Sequence, residues 1–476
     1  MGMTPHCNEG IMMKITFWGA AKTVTGSQYV IDIGGKKLLL ECGIRQGPRE
    51  ESEAANRNLP YDPAAIDAMV LSHAHLDHSG NIPSLVKYGF RGDVCMTAAT
   101  RDLTALILRD SARIQEYDTA FVNKRRQRKQ QPAKEPLYTT EDAERALGQF
   151  VGYPYERAFS PLPGVSCTFH DAGHILGSAL VDLRLAEGGR SVRFWFTGDL
   201  GRKGLPILRD PVQGVTADVL MTESTYGDRV HGQIGDTSAR LERIIKKVIA
   251  RQGKVIIPAF SVGRTQEIVY ELHQMFDAGR LPPVPIFVDS PLSINVTAVF
   301  RVHEECWDDE YRRRAARDAD GDPLGFGRLT YVGSAAESKK LNDFPKPCVI
   351  ISASGMCEGG RVLHHLRNSV GDPRNLVLIV GFQAMGTLGR RLVEKQSPVR
   401  IFGEPHEVRA EVEVLNGFSA HADRDELLDY MKGFTGGIGK VVLVHGEESQ
   451  TAALAESVKA LGKDVVVPNL GEEIAL

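Results

Sequence analysis

The chain has 476 residues, a length that predicts more than one domain. A hydrophobic content of 42% and a charged content of 25% are typical of a soluble globular protein. The longest apolar runs are strand-length, far short of a membrane span, and the first twelve residues lack the basic start and apolar stretch of a signal peptide. The formal net charge of −3 neither indicates nor excludes a nucleic-acid partner, because the placement of the positive charge decides that question.

The seven cysteines are spread along the chain, and no two of them have the C-x-x-C spacing of a zinc site or a redox pair. Their odd number and their scattered positions do not indicate a disulfide framework. They favour reduced, partly buried thiols in a protein of the cytoplasm.

From Lys14 to about Gly201, short apolar or alternating segments between glycine-rich turns predict strands. The predicted strands are Lys14–Trp18, Gln28–Ile33, Lys37–Glu41, Ala68–Leu71, Asp93–Met96 and Val192–Phe196. A helical stretch from about Thr100 to Val151 interrupts them. This part of the chain therefore predicts a domain with many strands.

The middle of the chain repeats a different unit, in which a continuous apolar run leads into a glycine- or serine-bearing loop and then a helix. The apolar runs are Val255–Pro258, Ile286–Asp289, Val349–Ser352 and Val377–Val380. Continuous rather than alternating apolar runs favour a parallel sheet with helices on both faces. The sequence thus predicts a second, α/β domain.

The remainder predicts further strands and helices, with strands at Val408–Leu415, Lys440–Val444 and Asp464–Val467 and helices at Arg424–Phe434 and Ser449–Leu461. The simplest arrangement has this tail complete the first domain, so that the α/β domain is an insertion. The predicted boundaries are 1–205 for the first part, 206–394 for the insertion and 395–476 for the C-terminal part.

Four side chains of ligand type follow the strand Ala68–Leu71 within six residues: His73, His75, Asp77 and His78. In an extended chain His73 and His75 point the same way and can reach one metal, and Asp77 and His78 then turn towards a second. Nitrogen and oxygen ligands without sulfur suit zinc or a similar divalent cation. Further on, His174 and Asp199 also come just after predicted strands. Because they follow this motif in the chain, they become stronger candidates for metal ligands.

This order of motifs resembles the metallo-β-lactamase superfamily and, more narrowly, the β-CASP nucleases that process RNA. Three later segments also match that family: Thr222-Glu-Ser-Thr-Tyr-Gly, Phe418-Ser-Ala-His-Ala-Asp and Val444-His-Gly-Glu. The resemblance covers the chain from about Lys14. It implies an α/β fold in which a metallo-β-lactamase αββα sandwich carries an inserted β-CASP α/β domain with a mostly parallel sheet.

The resemblance also implies roles for individual residues. His73, His75 and His174 would hold one metal ion, Asp77, His78 and His445 a second, and Asp199 would bridge the two. Two zinc ions per chain are expected, with manganese or iron as alternatives. Asp77, Glu223 and His421 would be catalytic, His421 as a general acid oriented by Glu223.

One position departs from the family pattern. Glu41, in Glu41-Cys42-Gly43, stands where the family usually has an aspartate that supports the metal ligands through hydrogen bonds. The additional methylene predicts altered geometry around the ligands, and with it lower activity or a changed metal preference.

The implied activity is hydrolysis of phosphodiester bonds in single-stranded RNA by hydroxide activated between two metals, leaving a 3′-hydroxyl and a 5′-phosphate. An endoribonuclease is expected, and additional 5′–3′ exonuclease activity stays open. Three alternatives stay open: a DNA nuclease, a small-molecule metallo-hydrolase on the same fold, and a non-catalytic RNA-binding scaffold. The large insertion favours a polymer substrate, His445 favours RNA over DNA, and the complete ligand set favours an enzyme.

Substrate contacts are less sharply indicated. Candidate substrate-binding residues lie in loops that precede helices or in the family segments: Arg264, Ser354, Gly355, Arg390 and Ser419. The basic segment Lys124–Lys134 carries six positive charges and no acid, which fits either an RNA-binding arm or a solvated helix end. No membrane partner is expected, and a homodimer stays open.

Overall fold

The structure is a computed structural model that describes residues 13–47, 49–230, 234–318, 320–345 and 347–476. The prediction about the first twelve residues lies outside this range. The chain forms two compact units. One comprises Met1–Gly201, Pro211–Arg229 and His421–Leu476, and the other comprises Arg202–Asp210 and Val230–Ala420.

Twenty-two strands are described. In chain order they are β1 (Lys14–Phe17), β2 (Tyr29–Ile33), β3 (Lys36–Leu40), β4 (Ala68–Val70), β5 (Val94–Thr97), β6 (Phe150–Tyr153), β7 (Phe159–Leu162), β8 (Val165–Asp171), β9 (Ala179–Glu187), β10 (Arg190–Phe196), β11 (Ala217–Glu223), β12 (Lys254–Pro258), β13 (Ile286–Val288), β14 (Leu329–Tyr331), β15 (Cys348–Ser352), β16 (Leu376–Ile379), β17 (Val399–Ile401), β18 (Glu404–His406), β19 (Glu411–Val414), β20 (Ile438–Val444), β21 (Asp464–Val466) and β22 (Glu473–Ala475).

Fourteen α-helices are described. They are α1 (Arg49–Arg57), α2 (Leu76–Ser79), α3 (Ile82–Lys87), α4 (Ala98–Arg128), α5 (Thr140–Leu147), α6 (Ile234–Ala250), α7 (Arg264–Asp277), α8 (Pro291–Val302), α9 (Asp309–Ala315), α10 (Ala335–Asn342), α11 (Val362–Ser369), α12 (Leu388–Val393), α13 (Arg424–Lys432) and α14 (Glu448–Ala460). Within the described residues, none of these helices is both long enough and apolar enough to cross a bilayer.

The first unit is built on two seven-stranded sheets, in the orders β22-β1-β2-β3-β4-β5-β6 and β21-β20-β11-β10-β9-β8-β7. Alternate residues of both sheets meet in one buried core, including Phe17 and Leu40 from one sheet and Phe194 and Met221 from the other. The two sheets therefore pack face to face, as the alternation of buried residues along the strands requires.

Helices cover the outer face of each sheet. On the first sheet, Leu39 and Met69 pack with Ile82 and Leu85 of α3. On the second sheet, residues of β10, β11 and β20 pack with apolar residues of α13 and α14. The unit is an αββα sandwich, which confirms the predicted fold class.

The second unit contains a six-stranded sheet in the order β14-β13-β15-β12-β16-β19. All five strand pairings are parallel. Ile256 and Ile350 belong to a core with residues of α11 and α12, whereas their neighbours Val255 and Ile351 are buried on the opposite face. The predicted parallel α/β domain is thus confirmed in its architecture.

The unit boundaries differ from the predicted ones at two places, and strand pairing is the reason for both. β11 lies within the predicted insertion, but it pairs in parallel with β10 and β20 and so completes the second sheet of the sandwich. The predicted strand Val408–Leu415 was placed with the C-terminal tail. Its structured part, β19, instead extends the six-stranded sheet by parallel pairing with β16.

Other elements are absent from the sequence prediction. The helical stretch predicted from Thr100 to Val151 is interrupted: α4 ends at Arg128, and α5 begins only after the capping residue Thr139. β7 and β9 were not predicted, and β8, the strand expected before His174, had no predicted bounds. β22 was not predicted either; it pairs with β1 near the two ends of the described chain. Pairing between such distant segments leaves no local signal in the sequence.

The fold generates a first prediction, which concerns how helix α13 is fixed to the second sheet. The buried Trp195 indole N–H donates to Tyr430 Oη at 3.0 Å, and that hydroxyl donates to the Val212 carbonyl at 3.0 Å. Tyr430→Phe leaves the indole N–H unpaired, so the free energy of unfolding should fall by about 1–3 kcal/mol. Urea unfolding measures it, with the exposed Tyr88→Phe as control; equal effects of the two substitutions would contradict the prediction.

Candidate metal centre and active site

The first predicted ligand segment forms a tight loop between β4 and α2. His75 is the residue before α2, and Asp77 and His78 lie inside this short helix. The backbone of Gly43 lies so close that an added Cβ would be 1.7 Å from the Asp77 carbonyl oxygen. Glycine is therefore required at position 43 if this loop is to keep its place.

The other ligand positions come from the ends of neighbouring strands in the second sheet. β10, β11 and β20 run parallel to one another, so their carboxyl ends lie at one edge. Asp199 follows β10, Glu223 ends β11 and His445 follows β20. Parallel pairing thus brings together residues that are up to 246 positions apart in the chain.

Four donor atoms form a first cluster around Asp199. His73 Nε2 and His174 Nε2 each lie 3.2 Å from His75 Nδ1. The same two atoms lie 3.4 and 3.5 Å from Asp199 Oδ2. All four residues belong to one group with the spacing of a metal site.

A second cluster uses the other oxygen of the same carboxylate. Asp199 Oδ1 lies 3.3 Å from His78 Nε2 and 3.6 Å from His445 Nε2. Asp77 Oδ2 lies 3.9 Å from His78 Nε2 and 3.8 Å from His445 Nε2. Asp199 therefore offers one oxygen to each cluster, which is the geometry of a bridging carboxylate.

These clusters fit divalent cations in two respects. Zinc bonds of about 2.0–2.2 Å place neighbouring tetrahedral ligands about 3.3–3.6 Å apart, close to the 3.2–3.5 Å found in the first cluster. His78 Nε2 and Asp199 Oδ1 are buried, and although they lie 3.3 Å apart, neither makes a hydrogen bond of good geometry among the described residues. Such atoms are costly unless a cation or another ligand satisfies them.

Most of the imidazoles are held in the neutral form that binds metals. Burial lowers the pKa of His73 to about 4 and the pKa of His445 to about 3. Burial also lowers the pKa of His75 and His174 well below the usual value. His78 differs: burial opposes its charge, but the carboxylates of Asp199, Glu41 and Asp77 raise its pKa well above the usual value.

Glu41 supports the ligands despite its departure from the family pattern. Its fully buried carboxylate lies 2.6 Å from His78 Nδ1 and accepts hydrogen bonds from the Ser72 amide at 2.7 Å and the Ser72 hydroxyl at 3.0 Å. Ser72 Oγ in turn lies 3.0 Å from His73 Nδ1. Glu41 takes a left-handed backbone conformation, with φ of 62°. One carboxylate thus orients an imidazole of each cluster.

His445 is held in a similar way. Its Nδ1 lies 3.2 Å from Ser27 Oγ, and its own backbone is left-handed, with φ of 47°. A non-glycine residue in that conformation costs on the order of 1 kcal/mol, which the surrounding structure must offset. The Ser27 contact spans 418 positions of sequence, so no sequence pattern indicated it. Ser72 could have been noticed, because it lies next to His73 in the motif.

His421 forms a pair with Glu223 beside the first cluster. Its Nδ1 lies 3.0 Å from both carboxylate oxygens of Glu223, whose Oε1 also accepts a hydrogen bond from the Leu200 amide at 2.7 Å. Burial opposes the charge on His421, but Glu223 and Asp199 outweigh it and raise its pKa to about 9. Because Nδ1 faces Glu223, the other nitrogen, Nε2, is the one free to meet a substrate.

The site is open on one side. His73, His78, His174, Asp199, Glu223 and His445 are all buried. His75 is half-buried, and the side chains of Asp77 and His421 are 24% and 22% exposed. Solvent therefore reaches the clusters past His75, Asp77 and His421, which places the general-acid candidate at the entrance.

Two predicted substrate-binding arginines lie in the second unit and are already paired. Arg264 begins α7, is 8% exposed, forms an ion pair with Glu267 and lies over the ring of Phe418 at 5.6 Å. Arg390 lies in α12 and pairs with Glu394 at 2.6 Å. Their proposed contacts with RNA stay predictions.

The remaining substrate-binding candidates also lie in the second unit. Ser354 Oγ accepts a hydrogen bond from the Glu358 amide at 3.2 Å. An added Cβ on Gly355 would lie 2.9 Å from the Phe260 ring, so this glycine is needed for packing. Ser419 is 8% exposed. For these three residues too, substrate binding stays a prediction.

Comparison with known families gives three matches along the chain. The family described as the metallo-β-lactamase superfamily matches residues 22–251, and the Beta-Casp domain matches residues 265–392. The family described as a Zn-dependent metallo-hydrolase RNA specificity domain matches residues 405–468. Together the matches extend over both units.

Individual relatives cover nearly the whole chain. Ribonuclease TTHA0252 from Thermus thermophilus is 37% identical over 97% of this chain and 100% of its own length. The transcription termination factor FttA of Methanosarcina mazei is 31% identical over 94% of this chain and 69% of its own length. A crystal structure of an Enterococcus faecalis protein of unknown function shares the fold, with a TM-score of 0.58 at 15% identity over 98% of this chain and 100% of that one. The chain therefore belongs to the β-CASP family of the metallo-β-lactamase superfamily.

Proposed function

We propose that this protein is a metal-dependent ribonuclease that cleaves single-stranded RNA internally and leaves a 3′-hydroxyl and a 5′-phosphate. The observation that carries the proposal is the pair of donor clusters that share Asp199, with His421 beside them. A ribonuclease among the relatives, similar over 97% of this chain and 100% of its own length, supports RNA as the substrate.

We assign two zinc ions to the site, with manganese or iron as alternatives. His73, His75 and His174 would hold one ion, Asp77, His78 and His445 the other, and Asp199 would contact both. When bound, such ions activate water for attack on phosphorus and offset the negative charge that develops on the phosphate. Glu41 and Ser72 keep the imidazoles of His78 and His73 in the orientation that this binding needs.

His421 supplies the proton that the leaving sugar oxygen requires. The carboxylate of Glu223 keeps the imidazole protonated and holds it through Nδ1, so that the Nε2 proton is available on the open side. A positioned general acid accelerates a reaction about 10²–10⁴-fold. The roles of the two residues are therefore separate: His421 transfers the proton, and Glu223 orients the imidazole of His421.

The first experiment compares a labelled single-stranded RNA with a DNA of the same sequence, with and without chelator. We expect cleavage of RNA that the chelator abolishes, and a circular RNA should also be cut, because internal cleavage needs no free end. Cleavage of the linear RNA but not of the circle would instead favour exonuclease activity. Cleavage of the DNA at the same rate would contradict an RNA-specific enzyme.

His421→Ala tests the general acid. The rate constant kcat should fall about 10²–10⁴-fold, because proton donation to the leaving oxygen is lost, while the metal content stays at the wild-type value. Glu223→Gln should lower kcat less, because the imidazole keeps a hydrogen-bond partner. Metal analysis and single-turnover kinetics measure the two effects. A His421→Ala enzyme with unchanged kcat would remove this residue from the mechanism.

Metal stoichiometry tests the two clusters separately. The wild type should bind two equivalents of zinc, and His174→Ala and His445→Ala should each weaken one of them, since each removes a ligand from a different cluster. Asp199→Ala should weaken both, because it removes the shared carboxylate. Elemental analysis after dialysis against a weak chelator gives the counts. A single equivalent in the wild type would contradict the two-metal assignment.

Glu41→Asp tests whether the longer side chain is required here. The shorter carboxylate cannot keep its contacts with both Ser72 and His78 without a backbone shift, so metal affinity should fall about 10–100-fold. Competition with a metallochromic chelator measures the affinity. Equal affinity of the two proteins would mean that the site adapts to either acid.

A further inference from the structure

The last turns of α4 carry an apolar stripe that faces solvent. Ile114, Tyr117 and Phe121 are 53%, 75% and 54% exposed. Their spacing of three and four residues places them on one face of the helix. Exposed aromatic side chains that line up in this way are uncommon on a surface without a partner.

The same face continues into the basic segment. Arg125 follows Phe121 by four residues, and Lys124 and Arg128 also fall on this face by the same spacing rule. The Arg125 guanidinium lies over the Phe121 ring at 5.1 Å. The segment Lys124–Lys134 itself contains no aromatic residue, and the aromatic residues that share its face come one to two turns earlier.

The opposite face of the helix makes hydrogen bonds to the segment that follows the helix. Asn123 exchanges two hydrogen bonds with the backbone of Lys134, and Arg126 Nε donates to the Pro132 carbonyl at 2.6 Å. Lys134 Nζ pairs with Glu53 at 2.9 Å. Among the described residues, Lys124, Arg125 and Arg128 have no such ion pair with a carboxylate. The basic segment is therefore not a uniform solvated end, since its two faces differ.

This combination of groups matches single-stranded RNA better than other occupants. Aromatic rings stack on unpaired bases, and neighbouring lysine and arginine side chains neutralise the phosphates. Asp118 also lies on this face by the same spacing rule and is exposed, but a single carboxylate offers these three cations less negative charge in a second copy of this chain than an RNA backbone does. RNA supplies both the rings and the negative charges.

The position of α4 relates this face to the metal clusters. The helix begins after Thr97, and the hydroxyls of Thr97 and Thr100 both donate to the Gly177 carbonyl, at 2.7 and 2.8 Å. That carbonyl belongs to the loop that carries His174. Farther along, Ala112 belongs to a buried cluster against which Ile44 packs, and the Ile44 amide donates to the Leu76 carbonyl of α2, the helix that carries Asp77 and His78. With a rise of 1.5 Å per residue, Phe121 lies about 14 Å and Arg128 about 24 Å along the helix beyond Ala112. An RNA must therefore extend several nucleotides beyond the cleaved bond to reach the basic end of this face as well as the metal clusters.

We propose that the face of α4 formed by Ile114, Tyr117, Phe121, Lys124, Arg125 and Arg128 is a second RNA-binding surface, which extends away from the metal clusters and holds long single-stranded RNA during cleavage. The proposal rests on the ribonuclease function proposed above. It predicts that substitutions on this face raise KM for a long RNA and leave kcat unchanged. Cleavage of a dinucleotide, which has a single phosphodiester bond and cannot also extend along the face, should not change.

The test compares a double variant, Tyr117→Ala/Phe121→Ala, with the control variant Tyr88→Ala, which also removes an exposed aromatic ring. KM for the long RNA should rise about tenfold or more, because stacking on both rings is lost. The variant Tyr117→Phe keeps the aromatic ring, so its KM should stay close to the wild-type value. A second pair, Lys124→Glu with Arg128→Glu, should weaken binding and reduce its dependence on salt, whereas the charge-matched control Arg184→Glu with Arg190→Glu should not.

Binding is also measured directly, by fluorescence anisotropy of the long RNA with the His421→Ala protein as the parent. This measurement separates the two proposals, because it needs no cleavage. If the wild type cuts no RNA but the face variants still lower RNA affinity, the ribonuclease proposal fails and the binding surface stands. Equal RNA affinity of parent, Tyr117→Ala/Phe121→Ala and Lys124→Glu/Arg128→Glu overturns the surface. Loss of self-association in sedimentation, with RNA affinity unchanged, likewise overturns it in favour of an interface between copies.

Discussion

The carboxylate of Asp199 is shared between two groups of imidazoles, and the arrangement of the first unit follows from this sharing. One oxygen lies with His73 and His174, and the other with His78 and His445. To bring these residues to one place, the loop after β4 in the first sheet must meet the carboxyl ends of β10 and β20 in the second. The face-to-face packing of the two sheets makes that meeting possible.

Close backbone contacts fix the meeting point more tightly than side-chain packing alone. An added Cβ on Gly43 would lie 1.7 Å from the Asp77 carbonyl, and one on Gly201 would lie 2.0 Å from the backbone of Gly173. Gly43 therefore allows the segment of Glu41 to touch the ligand loop, and Gly201 allows the segments of Asp199 and His174 to touch. The strained backbone at Glu41 and His445 lies in the same region. Strain of this kind persists only where the surrounding structure holds it.

Candidate metal ligands were easier to pick out in the sequence than the boundaries of the domains. His73, His75, Asp77 and His78 are close in sequence, so their spacing alone indicated a metal site. His421 and His445 could be connected with them only through family resemblance, because parallel pairing of β11 with β20 joins segments on either side of the second unit. The same cause explains the misplaced strand at Val408–Leu415. Its alternating pattern marks a strand, but nothing local says which sheet it joins.

The buried polar groups of the two clusters destabilise the folded protein when no cation is bound. Glu41, His73, His78, His174, Asp199, Glu223 and His445 are all within a few per cent of full burial, and this concentrates polar groups where water cannot solvate them. Ser72 satisfies the carboxylate of Glu41 and the outer nitrogen of His73, and Ser27 satisfies the outer nitrogen of His445. His78 Nε2 and Asp199 Oδ1 face inwards without such partners among the described residues. The free energy of metal binding would then be, in part, free energy of folding for this unit. The residues that surround the ligands stabilise a shape that a cation would complete, and the fully buried Glu41 contributes by holding Ser72 and His78.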